Sequence, residues 1–201
     1  GNTVVIKPSP FTPVATTRFF ELANEVLPAG VLNVLHGDAE IGAGMSSHDG
    51  INKMIFTGST PTGKRIMEAA SVNLKRLTLE LGGNDAGIVL PGADVAAIAP
   101  KLFGAGFHNN GQTCAALKRL YVHESQYEEM CNALAEQANN TVVGNGLDEA
   151  SQLGPLQNAK QLAIVKSLLS SAISNNARVV AGGNEIDGPG YFFQPTIVAD
   201  Q

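Results

Sequence analysis

Short runs of β-branched and leucine residues alternate with helical patterns along the first part of the chain. Apolar residues recur at helical spacing from Phe19 to Leu27, and this pattern ends at Pro28. Ser59 or Thr60 can cap a later helix. The predicted elements are strands at residues 3–7, 31–35, 53–57 and 77–81, a short helix after Asp38, and a helix at residues 61–70. Strands separated by helices of this length pair in parallel through right-handed crossovers, so the pattern predicts an open α/β sheet.

Gly82 and Gly83 interrupt the alternation and form the candidate boundary to a second α/β series. Asp94 caps a predicted helix that runs to Phe107. The other predicted elements are strands at residues 87–90, 117–122 and 196–198, a helix with Tyr127, Met130, Leu134 and Ala138 on one face, a mostly helical stretch at residues 152–176 with Leu162, Val165, Leu169 and Ala172 as its buried stripe, and a glycine-rich surface connection at residues 182–190. This series predicts a second α/β sheet.

Composition excludes several classes of function. The chain has 201 residues, of which 44% are apolar and 15% charged, and a net charge of -5, so a nucleic-acid partner is not expected. No apolar run approaches the roughly 20 residues of a membrane span, and a soluble, membrane-free protein is expected. Two cysteines do not make a disulfide framework, which favours a reducing, cytoplasmic location. The four histidines show no metal-ligand spacing, so no metal site is predicted.

A candidate anion site lies between the strand at residues 53–57 and the helix that follows. Residues 56–64 have the sequence Phe-Thr-Gly-Ser-Thr-Pro-Thr-Gly-Lys. Glycines allow close backbone approach, and the free amides of a helix start, with the hydroxyl of Ser59, suit a pyrophosphate. The segment nearly matches the phosphate loop of nucleotide triphosphatases, but Arg65 stands where the hydroxyl that holds magnesium is required. A glycine-containing turn that binds nothing remains an alternative for this segment alone.

Two further side chains could carry chemistry. Cys114 lies in a polar, glycine-bearing break between a predicted helix and strand, where a thiol can be exposed and act as a nucleophile. Cys131 lies on the apolar face of a predicted helix and is expected to be a small core residue. Glu80 stands within an apolar strand before two glycines, where a carboxylate can act as a base. Taken alone, Cys114 is better interpreted as structural, and the pattern fits an outward-facing strand residue equally well for Glu80.

Together these segments resemble the aldehyde dehydrogenase superfamily, and the resemblance runs along essentially the whole chain. Its specificity comes from the order and spacing of the motifs. They are Lys7-Pro8-Ser9, Phe56-Thr57-Gly58-Ser59 with Gly63, Leu79-Glu80-Leu81-Gly82-Gly83, Gly111-Gln112-Thr113-Cys114, and Gly154-Pro155-Leu156. The set favours the functional interpretation of Cys114 and Glu80 over the structural one.

The resemblance implies a role for each matched residue. Cys114 would add to the aldehyde carbon, its backbone amide would bond the developing oxyanion, and Glu80 would activate water for hydrolysis of the thioester or help to deprotonate the cysteine. The implied cofactor is NAD or NADP. The residues implied to bind it are Lys7, Ser9, Gly58, Ser59, Gly63, Leu81 and Gly82. Many NAD-preferring relatives have a glutamate where this chain has Pro10, so the resemblance does not imply exclusion of NADP.

The resemblance also implies an organisation. Residues 1–79 correspond to the later part of a Rossmann-like cofactor domain and residues 80–201 to the earlier part of the catalytic domain, each with an open parallel α/β sheet. Members of the family are longer, so the chain is expected to be a central fragment with little turnover alone, from a parent that forms homo-oligomers and oxidises a small aldehyde. A non-catalytic nucleotide-binding module is the alternative function, and a nucleotide triphosphatase is a distant third.

Overall fold

A computed structural model describes residues 1–200 of the chain. It separates into two compact units, of which the first is Gly1–Leu81 and the second begins at Gly82. The division falls directly before the glycine pair that interrupts the sequence pattern. Each unit is described by itself below.

The first unit alternates strands with helices. Its strands are β1 (Val4–Ile6), β2 (Leu32–Val34), β3 (Lys53–Gly58) and β4 (Arg76–Leu81), and its helices are α1 (Pro13–Asn24), α2 (Ala39–Ser47) and α3 (Thr60–Ser71). Strand β1 pairs in parallel with β2, and β3 pairs in parallel with β4. Each pair is joined by a helical crossover, as the alternation of patterns predicted.

Two details of the first unit differ from the sequence-based prediction. Helix α1 ends at Asn24 instead of continuing to Pro28, because the last turn tightens: the amides of Glu25 and Val26 donate to the carbonyls three residues before them, Leu22 and Ala23. Asp38 precedes α2 at the cap position, but its side chain makes no capping hydrogen bond. Ser59 does cap α3, since its hydroxyl accepts a bond from the amide of Thr62.

A buried lysine fixes the start of β4. Lys75 is 7% exposed, and its ammonium donates to the carbonyl oxygens of His48 (2.7 Å) and Ile51 (2.8 Å). The preceding residue, Leu74, has a left-handed backbone with φ 53°. These bonds attach the first residues of β4 to the loop before β3, and they satisfy a charge that would otherwise be costly to bury.

The second unit contains parallel and antiparallel pairs. Its strands are β5 (Asp85–Val89), β6 (Leu117–Val122), β7 (Arg178–Ala181) and β8 (Ile197–Ala199), and its helices are α4 (Val95–Phe107), α5 (Tyr127–Asn140) and α6 (Ala159–Ser174). Strands β5 and β6 pair in parallel, whereas β7 and β8 pair antiparallel. Helices α4 and α5 enclose a core with strand β5, and its buried residues are Val89, Val95, Ala99, Met130 and Leu134.

The stretch at residues 152–176 is helical only in part. Helix α6 begins at Ala159, because Asn158 caps it with a bond from the amide of Gln161 to its side-chain oxygen. Residues 152–158 form an irregular segment instead, with Pro155 at its centre. Of the predicted stripe, Leu162 is buried and the other three residues are half-buried. The pattern did not predict β7, whose four residues are too few to show alternation.

No helix within residues 1–200 combines the length and the apolar character that crossing a bilayer requires. The same residues contain no group of three or more histidine, cysteine, aspartate or glutamate side chains placed to hold a metal ion.

Candidate active site

The cysteine turn, residues 108–116, follows the end of α4. After Phe107 the chain forms a short 3-10 turn, His108–Gly111. Asn109, Asn110 and Gly111 have consecutive left-handed backbones, with φ of 51°, 59° and 72°. Glycine adopts this conformation without strain, and asparagine tolerates it better than most residues. The reversal places Cys114 on an exposed turn just before β6.

The two cysteines occupy opposite environments. Cys114 is exposed, whereas Cys131 is 7% exposed on the core face of α5. Burial raises the pKa of the Cys131 thiol, and the nearby carboxylate of Glu128 raises it further. A thiol with a raised pKa holds less thiolate, which is the nucleophilic form, so Cys131 is the less reactive of the two positions.

Hydrogen bonds within the cysteine turn hold its shape. The amide of Gln112 donates to the carbonyl of Asn109 (3.0 Å), and the side-chain amide of Asn109 donates back to the carbonyl of Gln112 (3.3 Å). The amide of Ala116 donates to the carbonyl of Thr113 (3.1 Å), and the Thr113 hydroxyl donates to the carbonyl of His108 (3.3 Å). Cys114 is therefore the second residue of a hydrogen-bonded turn, residues 113–116, which directly follows another at residues 109–112.

Residues outside the turn also support it. Asn110 and Gln112 extend their side chains to the backbone of residues 154–157, where they make hydrogen bonds. Gly83, just before β5, lies against the turn from another direction: a methyl group added to it would stand 2.7 Å from the carbonyl oxygen of Cys114. Only glycine allows the two backbones to approach so closely.

Glu80 lies in the first unit, at the carboxyl end of β4. It pairs in register with Thr57 of β3, and its side chain is exposed between half-buried Leu79 and Leu81. Carboxyl ends of parallel strands are where α/β proteins place their functional groups. Glu80 and Cys114 belong to different units, and the role that the resemblance implies for Glu80 stays a prediction.

The predicted anion site is formed by the turn between β3 and α3. The Ser59 hydroxyl makes hydrogen bonds with the amide of Thr62 (3.4 Å) and with the Thr62 hydroxyl (2.9 Å). Gly63 is buried in the first turn of α3, and a methyl group there would stand 2.7 Å from a methyl carbon of Leu81. Gly63 therefore has a packing role, since it lets the start of α3 lie against the end of β4. Gly58 is the last residue of β3, and Gly82 follows β4 with open space around it.

Lys7 and Ser9 follow the carboxyl end of β1. The Lys7 ammonium donates to the carbonyl oxygens of Pro8 (2.8 Å) and Gly37 (3.2 Å), so it lies where β1 and β2 both end. The Ser9 hydroxyl accepts a bond from the amide of Phe11 (3.3 Å), which shapes the turn before α1. The ammonium group has three N–H donors, so one remains for a further acceptor such as a sugar hydroxyl.

Three residues that support the cysteine turn carry no role in the sequence analysis. They are Gly83, Asn110 and Gln112. The signal for a turn was present, because Asn-Asn-Gly is rich in residues that adopt left-handed backbones. Their partners lie far along the chain or depend on backbone approach, and no local pattern shows either.

Comparison with known proteins shows which protein family contains this chain. The sequence profile of the aldehyde dehydrogenase family matches residues 1–201. The chain belongs to the aldehyde dehydrogenase family. Among curated relatives, it is 42% identical over 203 residues to the mitochondrial aldehyde dehydrogenase of Leishmania tarentolae, a match over 100% of this chain and 41% of the relative. It is 41% identical over 203 residues to retinal dehydrogenase 2 of Gallus gallus, a match over 100% of this chain and 39% of the relative.

Solved structures of aldehyde dehydrogenases have the same fold. The NAD+ complex of the Bacillus cereus enzyme superposes with a TM-score of 0.96 at 37% identity, over 99% of this chain and 41% of that one. A Pseudomonas syringae aldehyde dehydrogenase, a cysteine-to-alanine mutant bound to NAD+ and octanal, gives a TM-score of 0.94 at 34% identity, over 98% of this chain and 41% of that one. These matches confirm the predicted α/β fold of the family. The chain spans about two fifths of the length of the relatives it matches.

Proposed function

We propose that the protein to which these residues belong oxidises an aldehyde to a carboxylic acid with NAD+ or NADP+ as the oxidant. The observation that carries the proposal is the exposed cysteine on a braced turn, in a chain that belongs to the aldehyde dehydrogenase family. An exposed thiol in a held position is what nucleophilic catalysis requires. A small aldehyde is the proposed substrate.

The proposed reaction assigns one task to each side chain. The Cys114 thiol gives up its proton to solvent, through Glu80 or directly, and its sulfur bonds to the aldehyde carbon, whose oxygen becomes an oxyanion that the backbone amide of Cys114 stabilises. A bound nicotinamide cofactor would supply the acceptor for the hydride that this carbon loses, and Cys114 would then carry the acyl group as a thioester. Glu80 then takes a proton from water, the water oxygen bonds to the acyl carbon, and the carbon–sulfur bond breaks to release the acid.

The first unit offers groups that fit a dinucleotide. The start of α3 presents the backbone amide of Thr60 beside the Ser59 hydroxyl, at the positive end of the helix dipole, which favours a phosphate group. In the proposed site Ser59 binds the pyrophosphate and Lys7 and Ser9 the adenosine ribose. Gly58, Gly63, Leu81 and Gly82 are proposed to line the path of the cofactor. Pro10 provides no carboxylate against a 2′-phosphate, so we propose that the site accepts NAD or NADP.

The organisation of the protein follows from the same proposal. Residues 1–79 would be the later part of the cofactor domain and residues 80–201 the earlier part of the catalytic domain. The structure divides two residues further on, after Leu81, which supports a boundary in this stretch of the chain but leaves Glu80 in the first unit. We also propose a homo-oligomeric parent in the cytoplasm, whose reducing conditions keep a catalytic thiol free.

The experiment that tests the proposal compares two cysteine substitutions. Cys114→Ala removes the nucleophile and is expected to lower aldehyde oxidation at least about a thousandfold, as loss of a catalytic nucleophile does in other enzymes. Turnover is followed as formation of reduced cofactor. The matched control is Cys131→Ala, which removes a buried thiol from the core and should leave the turnover number within about threefold. Turnover that persists in Cys114→Ala would remove the nucleophile from the proposal.

A further inference from the structure

We infer that Asn110 is a positioning residue, which holds the cysteine turn in register through hydrogen bonds to residues 154–157. The inference rests on the proposed function, because it concerns where Cys114 is held. It assigns a task to a side chain four residues before the nucleophile that never has to touch the aldehyde.

The backbone of Asn110 shows that the turn needs external support. Asn109 and Asn110 are consecutive residues in the left-handed region. Each such residue costs roughly 1 kcal/mol for a side chain other than glycine, less for asparagine, and persists only where its surroundings hold it. A turn of this kind has a low intrinsic preference for one shape, so side-chain contacts decide where Cys114 lies.

The Asn110 amide uses both of its ends on one partner segment. Its nitrogen donates to the carbonyl oxygens of Gly154 and Pro155, and its oxygen accepts a bond from the amide of Gly154 (3.2 Å). The side-chain amide of Asn110 therefore bonds to both the N–H and the C=O of Gly154, as a neighbouring β-strand would. The two residues are 44 positions apart in the sequence. An aspartate could not do this, because it has no donor for the two carbonyl oxygens.

Gln112 makes a second attachment between the same two segments. Its side-chain oxygen accepts a bond from the amide of Gln157 (2.9 Å), and its side-chain nitrogen donates to the carbonyl of Asn109 (3.2 Å). The two attachments lie on either side of Gly111. Together they restrict both translation and rotation of the turn that leads into Cys114.

Residues 154–157 are themselves held in place, and this is necessary if they are to position the cysteine turn. The amide of Leu156 donates to the carbonyl of Tyr191 (2.9 Å), and the Leu156 side chain is 9% exposed. Before it, the carbonyl of Leu153 accepts from the amide of Gly144 (2.9 Å), and after it Asn158 caps α6. The motif Gly154-Pro155-Leu156 thus acquires a physical task in the second unit: it is the fixed support for the cysteine turn.

Asn109 provides a matched contrast. It has the same residue type and nearly the same φ as Asn110, but its side chain bonds only to Gln112, inside the turn. Replacing either asparagine by glycine keeps the left-handed backbone accessible. The pair Asn110→Gly and Asn109→Gly therefore separates the attachment to residues 154–157 from the conformational preference of the turn.

The first measurement is hydrogen exchange at two amides that Asn110 does not itself bond. These are the amides of Ala116, in the turn, and of Gln157, in the support. In Asn110→Gly both should exchange on the order of tenfold faster, since the loss of several hydrogen bonds favours local opening. In Asn109→Gly both should stay within about twofold of the unsubstituted protein. Equal exchange in the two variants would overturn the inference.

The second measurement separates positioning from general destabilisation. In the assembled enzyme, Asn110→Gly and Asn110→Asp should each lower kcat about tenfold or more while the KM for cofactor changes less than about twofold, because misplacing a reacting group affects the chemical step. Continued protection of Cys131 from a thiol reagent shows that the core is intact. A kcat equal to that of Asn109→Gly contradicts the inference. The exchange experiment needs no turnover, so it still decides the inference if Cys114 proves not to be the nucleophile.

Discussion

Gly83 lies where the cysteine turn leaves no room for a side chain. A methyl group there would stand 2.7 Å from the carbonyl oxygen of Cys114, a backbone atom that cannot move without the turn, and 2.8 Å from the flexible side chain of Asp85. Gly82, its neighbour, has open space within 4 Å. The two glycines are adjacent in the sequence, but only Gly83 lacks space for a side chain.

This contrast predicts that Gly83→Ala destabilises the protein by about 1–3 kcal/mol, as overpacking against a rigid neighbour does. The Gly82→Ala change should stay within about 0.5 kcal/mol, since its methyl group meets nothing. Urea unfolding, followed by circular dichroism, measures both. Equal losses of stability in the two variants would mean that Gly83 does not lie against the cysteine turn.

At the residue scale, the sequence located candidate chemistry but not its supports. Cys114 and Glu80 were singled out because each lies at a break beside a predicted strand, and the family resemblance then selected them over structural interpretations. Asn110 could not be found in that way. Its partners are backbone carbonyl oxygens of Gly154 and Pro155. Every residue has such an oxygen, so the sequence does not show which one is used.

Ion pairs join elements near the end of the second unit. Arg178 of β7 donates to a carboxylate oxygen of Asp200 (2.9 Å) and of Glu128 in α5 (2.7 Å). The Tyr127 hydroxyl donates to the other oxygen of Asp200 (2.8 Å). The hydrogen bond from Arg178 holds the pKa of Asp200 below its usual range, and the bond from Tyr127 lowers it further.

The lowered pKa predicts how stability depends on acid. Asp200 ionises more readily in the folded than in the unfolded chain, so its contribution to the free energy of unfolding is present above the unfolded pKa of about 3.9 and disappears as the pH falls through the folded value. The Asp200→Asn protein should therefore be less stable than the unsubstituted protein at pH 7, and this difference should shrink below about pH 4. Thermal unfolding across this pH range measures it.

The control for the acid experiment is Asp187→Asn, because Asp187 forms no ion pair within residues 1–200. It should change the unfolding temperature little at either pH. A difference between Asp200→Asn and the unsubstituted protein that stays constant from pH 7 to pH 3 would contradict the assigned ion pair.

At the element scale, capping residues and periodicity predicted most helices. Contacts with distant segments determined the start of α6 and the existence of β7. Asp94 caps α4 through a bond from the amide of Ala97, as expected. Helix α6 begins later than predicted, because Gly154 and Pro155 interrupt the helical pattern and residues 154–157 support the cysteine turn instead. Strand β7 exists through its antiparallel pairing with β8, and a four-residue strand depends on such a partner more than on its own pattern.

At the scale of the whole molecule, the predicted alternation of strands and helices describes both units. The parallel pairs β1–β2, β3–β4 and β5–β6 follow from helical crossovers that the sequence shows directly. The antiparallel pair β7–β8 could not be predicted in this way. Residues 182–196 connect the two strands without a helix, and their sequence has no periodic pattern. The proposed chemistry spans both units, since Glu80 belongs to the first and Cys114 to the second.

One measurement tests both residues together: the mass of the enzyme during turnover of Glu80→Gln. The amide of glutamine cannot accept the proton of the attacking water, so hydrolysis of the thioester should slow by about a hundredfold or more while its formation continues. Mixing this variant with aldehyde and NAD(P)+ is predicted to leave the acyl group on the peptide that contains Cys114. An acyl group on Cys131, or none on Cys114 while reduced cofactor is formed, would contradict the account.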